Sequence, residues 1–137
     1  MTPLLLLTHG DFGARLLEAA SAMLGPQPSV LALGLALEED REAYRSRLRA
    51  ARAQLGGALL YLVDLPGGPR WNTALALDTL KEGDEVVSGL SLPLLLEALH
   101  SRATADPRRL GEMLVERAAQ GVWRASARLG GASKGAP

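Results

Sequence analysis

Four short apolar runs, each closed by a glycine or an aspartate and followed by a longer amphipathic stretch, constrain the fold of this chain most strongly. The runs have the length and apolar content of strands that are buried on both faces, which is typical of parallel sheets. The repeated pattern therefore predicts four βα units in an α/β fold. The four predicted strands are Leu4 to Thr8, Val30 to Gly34, Ala58 to Asp64 and Glu85 to Leu90.

The amphipathic stretches predict five helices, placed by their capping residues and by apolar spacing. In the first of them the apolar residues at helical spacing predict one buried face, made of Phe12, Leu16, Leu17, Ala20 and Met23. The helices are predicted from Phe12, with Asp11 as N-cap, to about Gly25; from Glu39 to Leu55; from Arg70 to Leu80; from Ser91 to about Ser101; and from Pro107 onward.

The C-terminal part of the chain changes from helical spacing to a period of two. Trp123, Ala125, Ala127 and Leu129 alternate with polar residues, which predicts a half-exposed antiparallel edge strand. Residues 130–137 contain Gly, Ala, Ser, Lys and Pro, a composition typical of a flexible tail. The prediction is therefore one domain over residues 1–129, followed by a tail over residues 130–137.

Right-handed crossovers leave few ways to arrange the four parallel strands. Helices on both faces require the strand order to reverse, most simply as 2-1-3-4, in an open and mostly parallel sheet. Ligands of such sheets bind beyond the carboxyl ends of the strands at the reversal. The loops at that point are predicted to be residues 8–11 and 64–68.

Composition excludes several classes of function. The 15 basic and 15 acidic residues give a formal net charge of zero, so no overall field attracts nucleic acid. Cysteine is absent and His9 and His100 are the only histidines, which leaves too few ligands for a dedicated zinc site. We therefore predict no metal and no cofactor.

The apolar run at Leu4 is too short to span a membrane and lacks a basic flank, so a cytoplasmic protein is expected.

His9 is the strongest candidate for chemistry. It follows a run of leucines and precedes Gly10, so its imidazole stands at the end of a strand with a helix start directly behind it. Backbone N–H groups and the helix dipole at such a start stabilise an anion, and an unprotonated imidazole nitrogen is a nucleophile. The position therefore suits a phosphate-carrying histidine. A strand-end histidine with a purely structural role is the alternative.

Other candidates surround the same predicted edge. Asp64 ends the strand that should neighbour the first, where its carboxylate could orient the His9 ring or merely cap a loop. Gly67 and Gly68 could offer backbone N–H groups to phosphate, and Arg70 follows them at a helix start. Together with Gly10, these three residues form the predicted phosphate-binding set. His100 is expected to be a favourable charge at a helix C-terminus.

Three segments resemble the mannose-type IIA domain of the bacterial sugar phosphotransferase system. They are residues 8–10 (Thr-His-Gly), residues 62–68 with Trp71 and Asn72, and residues 89–97. The resemblance extends over about residues 1 to 129. It implies a phosphotransferase component with a phosphohistidine at His9, oriented by Asp64.

The resemblance also implies partners. His9 would accept phosphate from the histidine-containing phosphocarrier protein and pass it to a IIB component, and the domain would meet a membrane only through its transporter partners. A homodimer is implied too, in which the last strand, about Gly121 to Leu129, pairs with the sheet of the second subunit.

The chain departs from the family pattern at two places. Pro69-Arg70 stands where family members usually have Ser or Thr followed by Pro, which removes a hydroxyl near the expected phosphate. Ser91 stands where Asn is frequent. These departures leave open whether Arg70 compensates for the missing hydroxyl.

Two related architectures fit less well. A response-regulator receiver would be phosphorylated at Asp64, but the acidic pair expected after its first strand is replaced by Thr8-His9-Gly10. A histidine-type phosphatase needs an arginine beside its histidine and a second catalytic histidine, for which only His100 is available.

The final phosphate acceptor stays open at this point. The same fold serves the phosphotransfer subunit of dihydroxyacetone kinase, and a regulatory module without a transporter could keep the same histidine. Neither the sugar nor the phosphorylated nitrogen follows from the residues.

Overall fold

A computed structural model describes residues 1–36, 38–65 and 76–132 of the chain. Within them, the predicted α/β architecture is present, and residues 76–79 are also helical, so they lie in the predicted third helix. The remainder of that helix prediction lies outside the described residues. The elements are β1 (Leu4–His9), α1 (Phe12–Leu24), β2 (Val30–Leu35), α2 (Arg41–Leu55), β3 (Leu60–Val63), β4 (Glu85–Ser88), α3 (Leu92–Ser101), α4 (Pro107–Ala118), a 3₁₀ turn (Ala119–Gly121) and α5 (Ala125–Ala132).

The four strands form one parallel sheet in the order β2-β1-β3-β4, which confirms the predicted order 2-1-3-4. In its register Leu4 of β1 lies opposite Val30 of β2 and Leu60 of β3. The order reverses beside β1, so the carboxyl ends of β1 and β3 are neighbours. This arrangement brings the end of β1, with His9, next to the residue that follows β3, Asp64.

Alternate residues of the central strand β1 enter two separate cores, because successive side chains of a strand point to opposite faces. Leu4 and Leu6 pack with residues of α1, α3 and α4, whereas Leu5 and Leu7 pack with residues of α2 and with Ala76. Helices therefore cover both faces, as predicted. Burial on both faces explains why the strand reads as an unbroken run of leucines.

Helix α1 buries only part of the face that was predicted for it. Gly13 and Ala20 are its buried residues, and Leu16 and Leu17 pack partly against the core. Phe12 is 43% exposed and Met23 is 62% exposed, so their predicted burial is wrong. The buried stripe is centred on small residues because α1 lies close to the sheet. Two large side chains at the margins of the stripe are left in solvent.

The predicted C-terminal edge strand is wrong. Residues 125–132 form helix α5 instead, and Arg128 donates its N–H to the carbonyl of Arg124 at 3.0 Å. The alternation that suggested a strand is made mostly of alanine, serine and arginine, and after Val122 it contains no β-branched residue. Alanine, arginine and leucine favour a helix. An alternation of small residues therefore carried little information about the period.

Helix α5 also crosses the predicted boundary between residues 129 and 130. The last five residues, 133–137, lie outside the described part of the chain, so the predicted tail stays a prediction there. Among the described residues, no helix is long and apolar enough to cross a membrane.

Candidate functional site

His9 and Asp64 meet at the carboxyl edge of the sheet. The Nδ1 atom of His9 lies 2.9 Å from Oδ2 of Asp64, and the backbone N–H of His9 donates to the same oxygen at 2.8 Å. The Asp64 side chain is 11% exposed, whereas the His9 ring is 43% exposed. One mostly buried carboxylate oxygen thus fixes both the backbone and the ring of a histidine that stays accessible to solvent.

This contact determines how the imidazole of His9 presents its two nitrogens. An ionised carboxylate only accepts hydrogen bonds, so the proton shared with Asp64 belongs to Nδ1. The neutral ring then carries no proton on Nε2, whose lone pair is available to an electrophile. The pairing inferred from strand order is present, with a geometry that selects one tautomer.

Thr8 joins the end of β1 to the start of α1. Its side chain is fully buried, and its Oγ1 accepts the N–H of Gly13 at 2.8 Å. Asp11 stands at the N-cap position as predicted, but its side chain makes no capping hydrogen bond there. The cap therefore comes from the residue before His9, which ties the helix start to the strand end. The motif Thr8-His9-Gly10 pointed to Thr8, but its role depends on the loop conformation.

The loop after His9 lies directly against β2. Gly10 has a positive φ of +54° and donates its N–H to the carbonyl of Leu35 at 2.8 Å. Its own carbonyl oxygen passes so close to Gly34 that a Cβ atom there would lie only 1.9 Å from it. Gly34 was identified in the sequence only as the end of a strand. In the structure the loop that carries His9 packs directly against Gly34.

Replacement of Gly34 by alanine is expected to displace the Gly10 carbonyl and with it the His9 loop. The clash involves backbone atoms, so we expect a loss of about 1–3 kcal/mol in the free energy of unfolding, and slower progress of the His9 phosphorylation that the resemblance implies. Denaturant unfolding and a phosphorylation time course measure the two effects.

Gly111→Ala is the matched control for this replacement. A Cβ at Gly111 would meet the flexible side chain of Glu85 at 2.8 Å, on the far side of the sheet from β2. The rate at which His9 of this variant is phosphorylated should be unchanged. Equal phosphorylation rates in the Gly34 variant and the wild type would contradict the role of Gly34.

Helix α2 supports the same loop from the β2 side. Arg47 donates from Nη1 to the carbonyl of Gly34 at 3.3 Å and to Oε1 of Glu39 at 2.6 Å, and its guanidinium lies 5.7 Å from the centre of the Tyr44 ring. Burial raises the pKa of the Tyr44 phenol; Arg47 opposes this rise, whereas Glu39 and Asp64 add to it. The phenol therefore stays neutral and adds no negative charge near Asp64.

Three residues of the predicted phosphate-binding set, Gly67, Gly68 and Arg70, lie outside the described residues, as does Pro69, so their contact with phosphate stays a prediction. The fourth, Gly10, is beside His9, with its N–H already bonded to Leu35. Ser91 caps α3, where its Oγ accepts the N–H of Leu94 at 3.3 Å.

His100 is not part of this site. It lies in the last turn of α3, and that helix ends next to the start of β1, where Arg102 accepts the N–H of Thr2 through its carbonyl. The two histidines therefore lie at opposite ends of the strands. A phosphatase mechanism that needs both is not supported. Within the described ranges, no group of three or more His, Asp or Glu side chains could hold a metal ion.

Residues 3–115 match the protein family described as the PTS system fructose IIA component. The chain belongs to this family. This IIA domain is 34% identical over 119 residues to the mannose-specific EIIAB component of the PTS system of Escherichia coli K12, an alignment that covers 84% of the chain and 36% of that relative. The domain thus spans about a third of that relative. It is 27% identical over 106 residues to the fructose-specific EIIA component of Bacillus subtilis 168, covering 74% and 71% of the two chains.

Solved structures agree with this assignment. The mannose/sorbose-specific IIA subunit of Enterococcus faecalis superposes on the IIA domain with a TM-score of 0.78 at 25% identity, covering 90% of this chain and 95% of the other. The EIIA component of Streptococcus agalactiae has the same fold, with a TM-score of 0.81 at 24% identity and coverage of 93% and 99%. The mannose-type IIA resemblance is confirmed, and the domain is a component of a phosphotransferase system.

Proposed function

We propose that Nε2 of His9 carries a phosphoryl group between two protein partners of a sugar phosphotransferase system. The observation that supports this is the 2.9 Å contact between Nδ1 of His9 and Asp64, which leaves Nε2 unprotonated on a ring that is 43% exposed. The donor would be the histidine-containing phosphocarrier protein and the acceptor a IIB component. Relatives named for mannose and fructose favour sugar transport over the kinase alternative.

In the proposed transfer, the Nε2 lone pair attacks the phosphorus of the phosphocarrier's phosphohistidine. A new N–P bond forms at His9 while the N–P bond to the donor breaks, and the donor imidazole leaves with the electron pair. The proton on Nδ1 stays in its hydrogen bond to Asp64, whose negative charge stabilises the positive charge that develops on the ring. Passage to the IIB component is the same exchange with His9 as the leaving group.

The site has the exposure that transfer between proteins requires. Phe12, the first residue of α1, is 43% exposed, and Leu65, in the loop after β3, is 41% exposed. Apolar side chains around a reactive group are suited to brief contact with a partner, since they exclude water as the two surfaces meet. We propose that these two side chains border the surface on which both partners dock.

Phosphorylation of the wild-type chain tests the proposal. Incubation with phosphoenolpyruvate, the general phosphotransferase enzyme and its phosphocarrier should give one acid-labile phosphate per chain. ³¹P and ¹⁵N NMR of the product should place that phosphate on Nε2 of His9. A phosphate on Nδ1, or on a carboxylate, would contradict the proposed mechanism.

We further propose that the domain forms a homodimer through its C-terminal segment. The C-terminal segment is defined here as residues 122–129, all of which are exposed, including Trp123. Among the residues that the structure describes, no strand pairs with the outer side of β4, and the groove along it contains Glu112, Glu116 and the exposed Val115. Glu112 already pairs with Arg108 and Arg109 of its own helix, so Arg124 and Arg128 of the C-terminal segment are complementary in charge chiefly to Glu116. The segment of one copy would cover the β4 edge of the other, which would remove an unpaired strand edge.

Removal of all residues after Gly121 is expected to convert this dimer to a monomer, because it deletes the covering segment but leaves the four-stranded sheet intact. Sedimentation equilibrium measures the change. Charge reversal at Arg124 and Arg128 should weaken the dimer, whereas reversal at Arg15 and Arg49, on other surfaces, should not. A monomeric wild-type chain would refute the dimer and leave the His9 proposal untouched.

A further inference from the structure

A cleft of about 640 Å³ opens at the end of the sheet where the strands begin, whereas His9 lies at the end where β1 finishes. It lies between the C-terminal end of α2 and residues 78–81, beside Gly56 and Gly57, which precede β3. His9 stands where β1 ends, six residues along the sheet. Because a strand rises about 3.3 Å per residue, the five steps from Leu4 to His9 place about 17 Å along the strand between the imidazole and the level at which the cleft begins. The cleft is therefore separate from the phosphorylation site.

Three basic side chains line this cleft, namely Arg49, Arg52 and Lys81. The acidic side chain that lines it, Asp78, already accepts hydrogen bonds from two other arginines outside the cleft, Arg41 at 3.1 Å and Arg45 at 3.0 Å. Within the part of the chain that the structure describes, Arg49 and Lys81 form no ion pair. The lining thus keeps a surplus of positive charge.

Arg52 gives the cleft a fixed wall. Its side chain is 9% exposed and is held by Asp84, at 2.8 Å from Nη2 to Oδ2, and by the carbonyl of Gly57, at 3.2 Å from Nη1. Asp84 in turn accepts the N–H groups of Leu59 and Lys81. The Nε atom of Arg52 is buried and finds no hydrogen-bond partner among the described residues, which is costly for a charged group. A donor that is already desolvated and held in place loses little freedom when an acceptor arrives.

We propose that this cleft binds a small phosphorylated metabolite, with its phosphate held by Arg49, Arg52 and Lys81. Guanidinium and ammonium groups are the side chains that recognise phosphate oxygens, by charge and by directed N–H donors. The volume is that of a small-molecule site. A concave pocket on a chain of zero net charge suits a compact dianion better than an extended polyanion such as nucleic acid.

This site is independent of the His9 proposal, and the two can be tested apart. Glucose 6-phosphate and inorganic phosphate, with glucose as the uncharged control, are titrated into ¹⁵N-labelled wild-type chain and into His9→Ala. Either phosphate compound should give saturable shifts in the amide signals of residues 49–57 and 79–81 of both proteins, and glucose should give none. Loss of those shifts in His9→Ala would move the binding to the phosphorylation site and overturn the proposal.

The double variant Arg49→Gln/Lys81→Gln should bind about tenfold more weakly, since two charge-assisted contacts are lost. Arg15→Gln/Arg108→Gln is the matched control: it removes the same charge from two exposed positions that lie outside both the cleft and the C-terminal segment. Saturable binding that only the first pair weakens supports the proposal. Absence of saturable shifts with both compounds, or equal weakening by both pairs, overturns it. Retention on phosphatidylglycerol vesicles without binding of either compound would also overturn it, in favour of a membrane surface.

Discussion

Replacement of His9 by alanine is expected to abolish phosphorylation of the domain. The variant has no imidazole at the end of β1, and loss of a nucleophile lowers the rate by roughly a thousandfold or more. The fold should persist, because the backbone N–H of residue 9 donates to Asp64 at 2.8 Å in the wild type and can still do so in the variant. Radiolabelled phosphate from phosphoenolpyruvate measures the loss, and circular dichroism verifies the fold.

His100→Ala is the matched control, since His100 is the other histidine of the chain and is exposed at the end of α3. It should incorporate phosphate at the wild-type rate. Labelling of the His9 variant at the wild-type level would remove His9 from the proposed function. Loss of labelling in the His100 variant alone would assign the phosphate to the opposite edge of the sheet.

The order of the strands and the meeting of His9 with Asp64 could be predicted because both follow from patterns that are local in the sequence. Each apolar run marks a strand, each crossover is right-handed, and the reversal then places two strand ends side by side. The meeting of these two residues needs no knowledge of side-chain packing. It requires only that β1 and β3 are neighbours.

The supporting contacts of the site could not be predicted in this way. The collision that makes glycine necessary at residue 34 depends on the path of the Gly10 carbonyl, and the cap by Thr8 depends on a loop in which Asp11 turns away from the helix start. Both are set by register and loop conformation. A sequence pattern identifies the residue type but not its distance to a neighbour.

The wrong predictions share a physical cause. In α1, helical spacing identified the right side of the helix but not the centre of its stripe, so Phe12 and Met23 were placed inside. In α5, an alternation of small residues and arginine suggested a strand, although the alanine, arginine and leucine in it favour a helix. Packing against a neighbour settles such cases. Residues 122–129 have little packing of their own, and all of them are exposed.

Replacement of Asp64 by asparagine is expected to slow phosphoryl transfer at least about 10- to 100-fold, the loss that follows removal of a partner that orients a metal-binding histidine. The amide has no charge to stabilise the ring cation. Its NH₂ group can also donate to Nδ1, which would move the ring proton to Nε2 and block the attacking lone pair. The effect should fall on kcat and leave the KM for the phosphocarrier nearly unchanged, because Asp64 is 11% exposed and lies behind the ring.

Two variants separate orientation from a general loss of negative charge. Asp11→Asn removes an exposed carboxylate from the loop that carries His9. Among the described residues the Asp11 side chain pairs only with Arg15, so this variant should transfer phosphate normally. Asp64→Ala removes the charge without supplying a donor to Nδ1, so it should be faster than Asp64→Asn if the tautomer is what the carboxylate controls. ¹⁵N shifts of the His9 ring show the tautomer directly. A normal kcat in Asp64→Asn, with Nε2 still unprotonated, would reduce the role of Asp64 to holding the backbone of His9.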